Sequence, residues 1–478
     1  MNYRLIIYTL GWVLSFEAVC MILPMVCGFI YGEKEALIFA SCILICLIIG
    51  RLFISFSPKN KVMYSKEGFV SVALSWLFIS IFGALPFIFS GAIPNIFDAF
   101  FETVSGFTTT GASVLSNVEI LPKSIIFWRS FSHWIGGMGV IVLLVAVLPL
   151  SGGGNFHMIK AESTGPSVSK LVPKVKQTAL ILYGIYVVMT ITQIVILLFC
   201  NMNLFEALTT TFGTAGTGGF GIRNDSFTGF SDSAQITVTI FMILFGIDFS
   251  VYYFIFVKRM FKTGVTSEAK TYLGIIIATI ALISYNCRGM YESIWENLKH
   301  TAFQVGSIIT TTGYTTADYN LWPEFSKAIL VLLMIIGACA GSTGGGIKVS
   351  RIMILLKSIV KEIKIAAHPK SVHKLTMNGR TLQHETVRAV NVYMMAYLII
   401  FAFSVIIISR DGYDFTTNFT GVLATLNNIG PGLGTVGPTG NFGMYSNLSK
   451  FVLSMGMLAG RLELFPLLVL FSPYTWKK

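Results

Sequence analysis

Along this chain apolar residues run nearly unbroken for long stretches, with polar residues gathered between them. A bilayer-crossing helix needs about 20 apolar residues, so each run predicts a membrane span. Ten runs can be drawn, near residues 5–30, 36–56, 68–90, 125–150, 178–200, 233–257, 271–287, 325–360, 386–409 and 448–471. The seventh is short, and the eighth is interrupted by the run Gly337 to Gly346. Arg4 ahead of the first run imitates a secretion signal. That run is too long for one, holds Glu17 and lacks a small-residue cleavage site, so it reads as a helix.

A second pattern lies between alternate spans. Four amphipathic stretches, each too short to cross, end in a run of Thr, Gly or Asn: FDAFFETVSGFTTTGAS, LFEALTTTFGTAGTGGFG, TAFQVGSIITTTGYTT and TGVLATLNNIGPGLG. Aligned on Gly111, Gly219, Gly313 and Gly430, they stand 108, 94 and 117 residues apart. Two positions upstream come Thr109, Thr217, Thr311 and Asn428; six upstream come the small residues Ser105, Gly213, Ser307 and Ala424. A period near 100 is too long for a solenoid and suits four equivalent units about one axis. The expected fold is all-α: two leading helices over 1–67, then helix, re-entrant segment and helix repeated over 68–177, 178–270, 271–385 and 386–478. Irregular backbone at membrane depth survives only inside protein or along a water-filled path. A half-helix ending there presents free carbonyls and partial negative charge, and four such ends would attract a cation. Rings of backbone carbonyls that replace a hydration shell are how potassium filters select. A single TTTG would be an ordinary turn; four at matched places are not.

Composition narrows the class further. Hydrophobic residues make up 54% and charged residues only 12%, against about 25% charged in soluble chains, which excludes a soluble enzyme and a disordered chain. The 34 Lys and Arg outnumber 22 Asp and Glu. No basic patch is interleaved with stacking aromatics, so the excess does not point to nucleic acid. It follows sidedness instead. Segments 57–67, 151–177, 258–270, 347–388 and 471–478 carry 22 Lys and Arg, whereas 31–36, 91–124, 201–233, 286–327 and 410–450 carry 8. The first set is expected in the cytoplasm, with both termini there, as ten spans require. The seven cysteines form no CxxC and read as small packing residues.

On these residues the sequence resembles the Trk/Ktr/HKT superfamily of potassium transporters, in its TrkH/TrkG-type branch. The likeness runs the length of the chain and rests on Thr108-Thr109-Thr110-Gly111, Thr217-Gly218-Gly219-Phe220, Thr311-Thr312-Gly313-Tyr314 and Asn428-Ile429-Gly430-Pro431-Gly432. Tyr314 stands where the family pattern leads one to expect Phe. The resemblance implies gated, channel-like potassium uptake across a bacterial cytoplasmic membrane. Its filter would comprise Thr109, Thr110, Gly111, Thr217, Gly218, Gly219, Thr311, Thr312, Gly313, Asn428, Ile429 and Gly430. Glycine at all four filter positions implies a preference for potassium over sodium. No organic cofactor is implied for this chain. It also implies a homodimer, and a cytoplasmic nucleotide-binding ring of the TrkA/KtrA kind docked on the basic segment 347–388, which otherwise reads as positive-inside sequence in contact with lipid.

Glycines in the eighth run weaken helix by about 1 kcal/mol each, so unwinding is expected there. By the same resemblance, Gly341, Ser342, Thr343, Gly344, Gly345 and Gly346 form a gating loop beneath the filter. Lys348 is expected just past it, facing the cytoplasm. The alternative for this cluster is close helix packing. Arg461, inside the last run, is a functional candidate by its cost in the membrane; the resemblance places it facing the pore, and the bland alternative pairs it with Glu463 or a helix-end carbonyl. Glu17, Arg129, His133 and Asp248 are expected to pair within the bundle. Ile347 interrupts the P-loop-like Gly341–Lys348, and Gly216, Gly218 and Gly221 lack the βαβ setting of a dinucleotide site. No catalytic or metal-ligand spacing is found. The rival readings are a sodium- or proton-coupled secondary transporter, which would need inverted halves, a membrane enzyme, and a subunit without a pore.

Overall fold

The computed structural model describes residues 1–58, 63–139, 175–260, 264–371 and 373–477. The second half of the expected span 125–150 and most of the basic segment 151–177 lie outside these. Among the described residues six helices are long and apolar enough to cross a membrane: Tyr3–Tyr31, Glu35–Ser55, Ser65–Phe89, Gln177–Phe199, Ser267–Asn286 and His384–Asp411. The first two form the leading hairpin, and each of the other four opens one of the repeated units.

A short helix follows each opener: Ile96–Phe107, Leu204–Ala215, Ile294–Ile309 and Phe415–Leu426. Three have 12 residues and the third 16, so they span about 18 to 24 Å, short of a bilayer's hydrocarbon core of about 30 Å. All four are capped at the N-terminus by a side chain that accepts a backbone amide: Asn95, Asn203, Ser293 and Asp414. Their first residues are exposed and their last ones buried. They therefore enter from one face and stop inside.

The helix closing each unit departs from the sequence expectation of an unbroken span in two units besides the glycine-rich one. These helices are Lys123–Gly137, Asp232–Phe245, Glu324–Ile336 and Asn447–Arg461, of 15, 14, 13 and 15 residues. The first ends at a glycine pair. The second bends by 93° into Phe249–Val257. The third unwinds over Gly337–Lys348 before Val349–Ala367. The fourth breaks at Glu463 and Leu464, whose φ of 58° and 67° are left-handed without a glycine. Among the described residues, the closing helices of the second, third and fourth units are thus bent or broken part-way, where the sequence led one to expect a break only in the third.

A candidate ion path: four carbonyl strands and the loop beneath them

Each short helix ends in the same way. The residue after the cap is left-handed: Thr109 (φ 56°), Thr217 (55°), Thr311 (60°) and Asn428 (56°). The next amide reaches back to the small residue near the helix end, Thr110 to Ser105 at 2.9 Å, Gly218 to Gly213, Thr312 to Ser307 and Ile429 to Ala424 each at 2.8 Å. This double-bonded stop normally takes glycine at the left-handed place. A β-branched residue there costs about 1–2 kcal/mol, and strain of this kind persists only where the surroundings dictate it. Two residues on, Gly111, Gly219, Gly313 and Gly430 again have positive φ, from 76° to 98°.

The four strands close into a ring. A Cβ built on Gly111 would lie 1.9 Å from the Gly218 carbonyl oxygen, and one on Gly219 1.8 Å from that of Thr312. On Gly313 it would lie 2.2 Å from the Ile429 oxygen, and on Gly430 2.8 Å from that of Thr110. Each glycine therefore backs onto the middle carbonyl of the next unit, and the fourth returns to the first. The seams are bonded as well. His133 Nδ1 sits 2.8 Å from the Gly106 carbonyl and so carries the proton, leaving Nε2 to accept the Phe220 amide at 3.3 Å. Tyr319 donates to the Gly432 carbonyl at 3.0 Å, and Asn428 Nδ2 to Thr110 Oγ1 at 2.9 Å. Tyr314, unexpected in the sequence, donates its hydroxyl to the Thr210 carbonyl at 3.2 Å and fills the space left by Gly213.

A buried ion pair braces the first strand from behind. Arg129 Nε lies 2.5 Å from Glu102, which also accepts the Val114 amide at 2.9 Å and the Ser113 hydroxyl. Its guanidinium lies 3.8 Å from the centre of the Phe220 ring and donates to the Gly221 carbonyl. Arg129 and His133 thus pair within the bundle as expected, as does Asp248, which accepts the Ser250 amide and hydroxyl. Glu17 does not: both its buried oxygens lack a hydrogen-bond partner among the described residues. Glu102 escaped sequence reading because its partner lies 27 residues away.

Gly337–Lys348 lies directly below the ring. The Gly345 amide donates to Thr311 Oγ1 at 2.6 Å. Cβ atoms on Gly344 and Gly345 would meet the Thr310 and Asn427 carbonyls. Broken helices leave carbonyls without intrahelical partners, and at membrane depth these must be bonded. The loop supplies the bonds: Thr343 Oγ1 to the Phe245 carbonyl at 3.2 Å, the Cys339 amide to Gly246 at 3.1 Å, and the Lys348 amide to Ile336 at 3.0 Å. Gly341 accepts the Phe249 amide and packs on Asp248, and Ser342 donates to the Cys339 carbonyl. Gly346 has φ 76° and packs against Gly337. Arg461 spans the assembly. It donates to the Thr343 carbonyl at 2.8 Å and to Gly136 and Gly137, at the end of the first closing helix, at 2.5 and 2.6 Å. Its partners thus include helix-end carbonyls and a loop carbonyl, and Glu463 pairs with Arg351. Lys348 corrects the sequence reading. It does not face the cytoplasm but is buried, with its ammonium on the Gly344 carbonyl.

The comparisons with known proteins agree along the whole length. Residues 35–282 and 289–478 match the TrkH family, described as cation transport protein. The Trk system potassium uptake proteins TrkH of Salmonella typhimurium and Escherichia coli K12 are each 37% identical over 490 residues, covering all of both chains. TrkG of Escherichia coli K12 is 31% identical over all of this chain and 99% of its own. The crystal structure of the potassium transporter TrkH from Vibrio parahaemolyticus superposes with a TM-score of 0.90 at 32% identity, covering both chains completely.

Proposed function

The chain belongs to the TrkH family of cation transport proteins, and on that premise we propose that it carries potassium into a bacterial cell through a selective, gated pore along the axis of its four units. The observation that carries this reading is the closed ring in which each glycine backs onto the next unit's carbonyl. Four helix C-termini aim partial negative charge at that ring, and backbone oxygens take the place of water around a dehydrated cation. The filter comprises Thr109–Gly111, Thr217–Gly219, Thr311–Gly313 and Asn428–Gly430. Thr109 Oγ1, buried and without a protein partner among the described residues, is available to add a side-chain oxygen at its inner end.

The loop Gly341–Gly346 with Lys348 and Arg461 acts as the gate. A cation about 4 Å from the Arg461 charge would be repelled by about 4 kcal/mol at an effective dielectric of 20, so passage requires the loop and this arginine to shift together. The proposal extends to two copies working together and to a nucleotide-binding regulatory ring of the TrkA/KtrA kind on the basic cytoplasmic face, both implied by the family resemblance. There Lys357, Lys364 and Lys370 are exposed along and beyond Val349–Ala367, and the positive-inside bias supports a cytoplasmic place for both termini.

Rubidium uptake into liposomes holding the purified chain, with sodium as competitor, tests the reading. Uptake that potassium blocks and sodium does not is the expected result. Uptake that sodium blocks equally well refutes a potassium filter.

A further inference from the structure

The loop beneath the ring leaves one helix and enters the next through a neck whose sides are bonded to each other. The Lys348 amide donates to the Ile336 carbonyl at 3.0 Å, and the Val349 amide to the Ala338 carbonyl at 3.1 Å. One rung further, the amides of Ala340 and Ser350 converge on a single atom from elsewhere. That atom is Oε1 of Glu268, at 2.8 and 3.0 Å. Glu268 is buried, in the first turn of Ser267–Asn286, the helix that opens the third unit.

The chemistry of this rung is specific. Ser350 is the second residue of Val349–Ala367, so its amide is one of the four that have no partner inside the helix. It also carries part of the helix's N-terminal positive charge. Ala340 lies in the irregular, glycine-rich limb. An ionised carboxylate accepts from both amides and brings no donor of its own, and bonds to an ionised acceptor are the strong ones. The other ties of the loop, Gly345 to Thr311, Thr343 to Phe245 and to Arg461, Cys339 to Gly246 and Gly341 to Phe249, each hold one point of it. Glu268 joins the descending limb to the start of the next helix.

We propose that Glu268 is the clasp that keeps this loop across the ion path. It is a positioning residue for gating, acting through Ala340 and Ser350 without touching the ion. The inference rests on the loop being the gate. With the clasp lost, Ala340 and Ser350 lose their shared partner, leaving the neck bonds and the single-point ties to hold a loop whose glycines have no regular structure of their own. Movement of Val349–Ala367, whose far end reaches the basic cytoplasmic face, would draw Ser350 off Glu268 and open the loop from below.

The test uses the full chain in liposomes without any partner. Rubidium uptake is compared in wild type, Glu268→Gln, Glu268→Ala and a chain lacking Gly344–Gly346. Potassium-dependent thermal stabilisation reports that the ring is assembled in each. Alkylation of Cys339, buried in the loop, is followed by mass spectrometry as a reporter of loop opening. Glu268→Ala is expected to raise uptake at least about tenfold, since both amides lose their acceptor at once, and Glu268→Gln, which keeps an acceptor oxygen, to raise it less. Cys339 alkylation should rise in the same order, which a merely structural loss would not produce in an assembled ring. Should the shortened loop raise uptake while both Glu268 variants match wild type in uptake and alkylation, the clasp is wrong and the gate stands. If the shortened loop also leaves uptake unchanged, the gate reading falls and the clasp with it.

Discussion

Replacing the four ring glycines by alanine, one at a time, should produce a graded series set by geometry. Each alanine meets a common backbone cost, about 1–2 kcal/mol for a left-handed L-residue, because φ is positive at all four places. The steric cost differs. A Cβ in a real protein stays at least about 3.0 Å from such an oxygen, so the neighbouring carbonyl must retreat by about 1.2 Å at Gly219, 1.1 Å at Gly111, 0.8 Å at Gly313 and only 0.2 Å at Gly430. Binding groups must hold position to within about 0.5 Å. The first three displacements exceed that tolerance and the fourth does not. Gly219→Ala, Gly111→Ala and Gly313→Ala are therefore expected to lose rubidium-over-sodium discrimination. Gly430→Ala should keep much of it and chiefly lower stability. The assay is rubidium uptake with increasing sodium, normalised to reconstituted protein, alongside potassium-dependent thermal stabilisation. A series in which Gly430→Ala is the most damaging, or in which all four are equal, would refute the argument from the ring.

Two further outcomes follow from the surroundings of the ring. Arg461→Ala removes the three bonds that join the loop to the first closing helix and the positive charge from the ion path, so cation flux at equal reconstitution should rise; unchanged flux would count against a pore-facing arginine. Arg129→Met leaves Glu102 charged and buried without its partner, a loss of about 3–5 kcal/mol readable in thermal unfolding, whereas Glu102→Gln together with Arg129→Met should recover part of it; a double variant no more stable than the single one would contradict the pairing.

The fourfold plan was legible because its geometry is written in residue types. A left-handed stop followed by a second positive φ demands Gly, or Thr and Asn under constraint, and the places recur at similar intervals. The loop below the ring was legible for the same reason, since glycines mark its unwinding. The break in the last closing helix was not, because Glu463 and Leu464 adopt left-handed φ with no glycine to announce it, and the bend in the second rests on a single Gly246. Pairings across the fold were hidden too. Glu268 meets amides 72 and 82 residues away, and Arg351 meets Glu463 at a separation of 112. Lys348 misled because lysines flanking a span usually mark the cytoplasmic side; here the loop's own carbonyl takes its ammonium inside the protein. Arg461 was readable as costly, but its partners at Gly136 and Gly137 lie 325 and 324 residues away.

The central claim is that a cation is held by the carbonyl ring closed through Gly111, Gly219, Gly313 and Gly430. Anomalous diffraction from crystals grown in rubidium tests it most directly. The account predicts rubidium peaks on the axis, within coordinating distance of the Thr110, Gly218, Thr312 and Ile429 carbonyl oxygens, that persist against added sodium in the unaltered protein and weaken in the Gly219→Ala protein. Rubidium bound elsewhere in the molecule, with none on that axis, would contradict it.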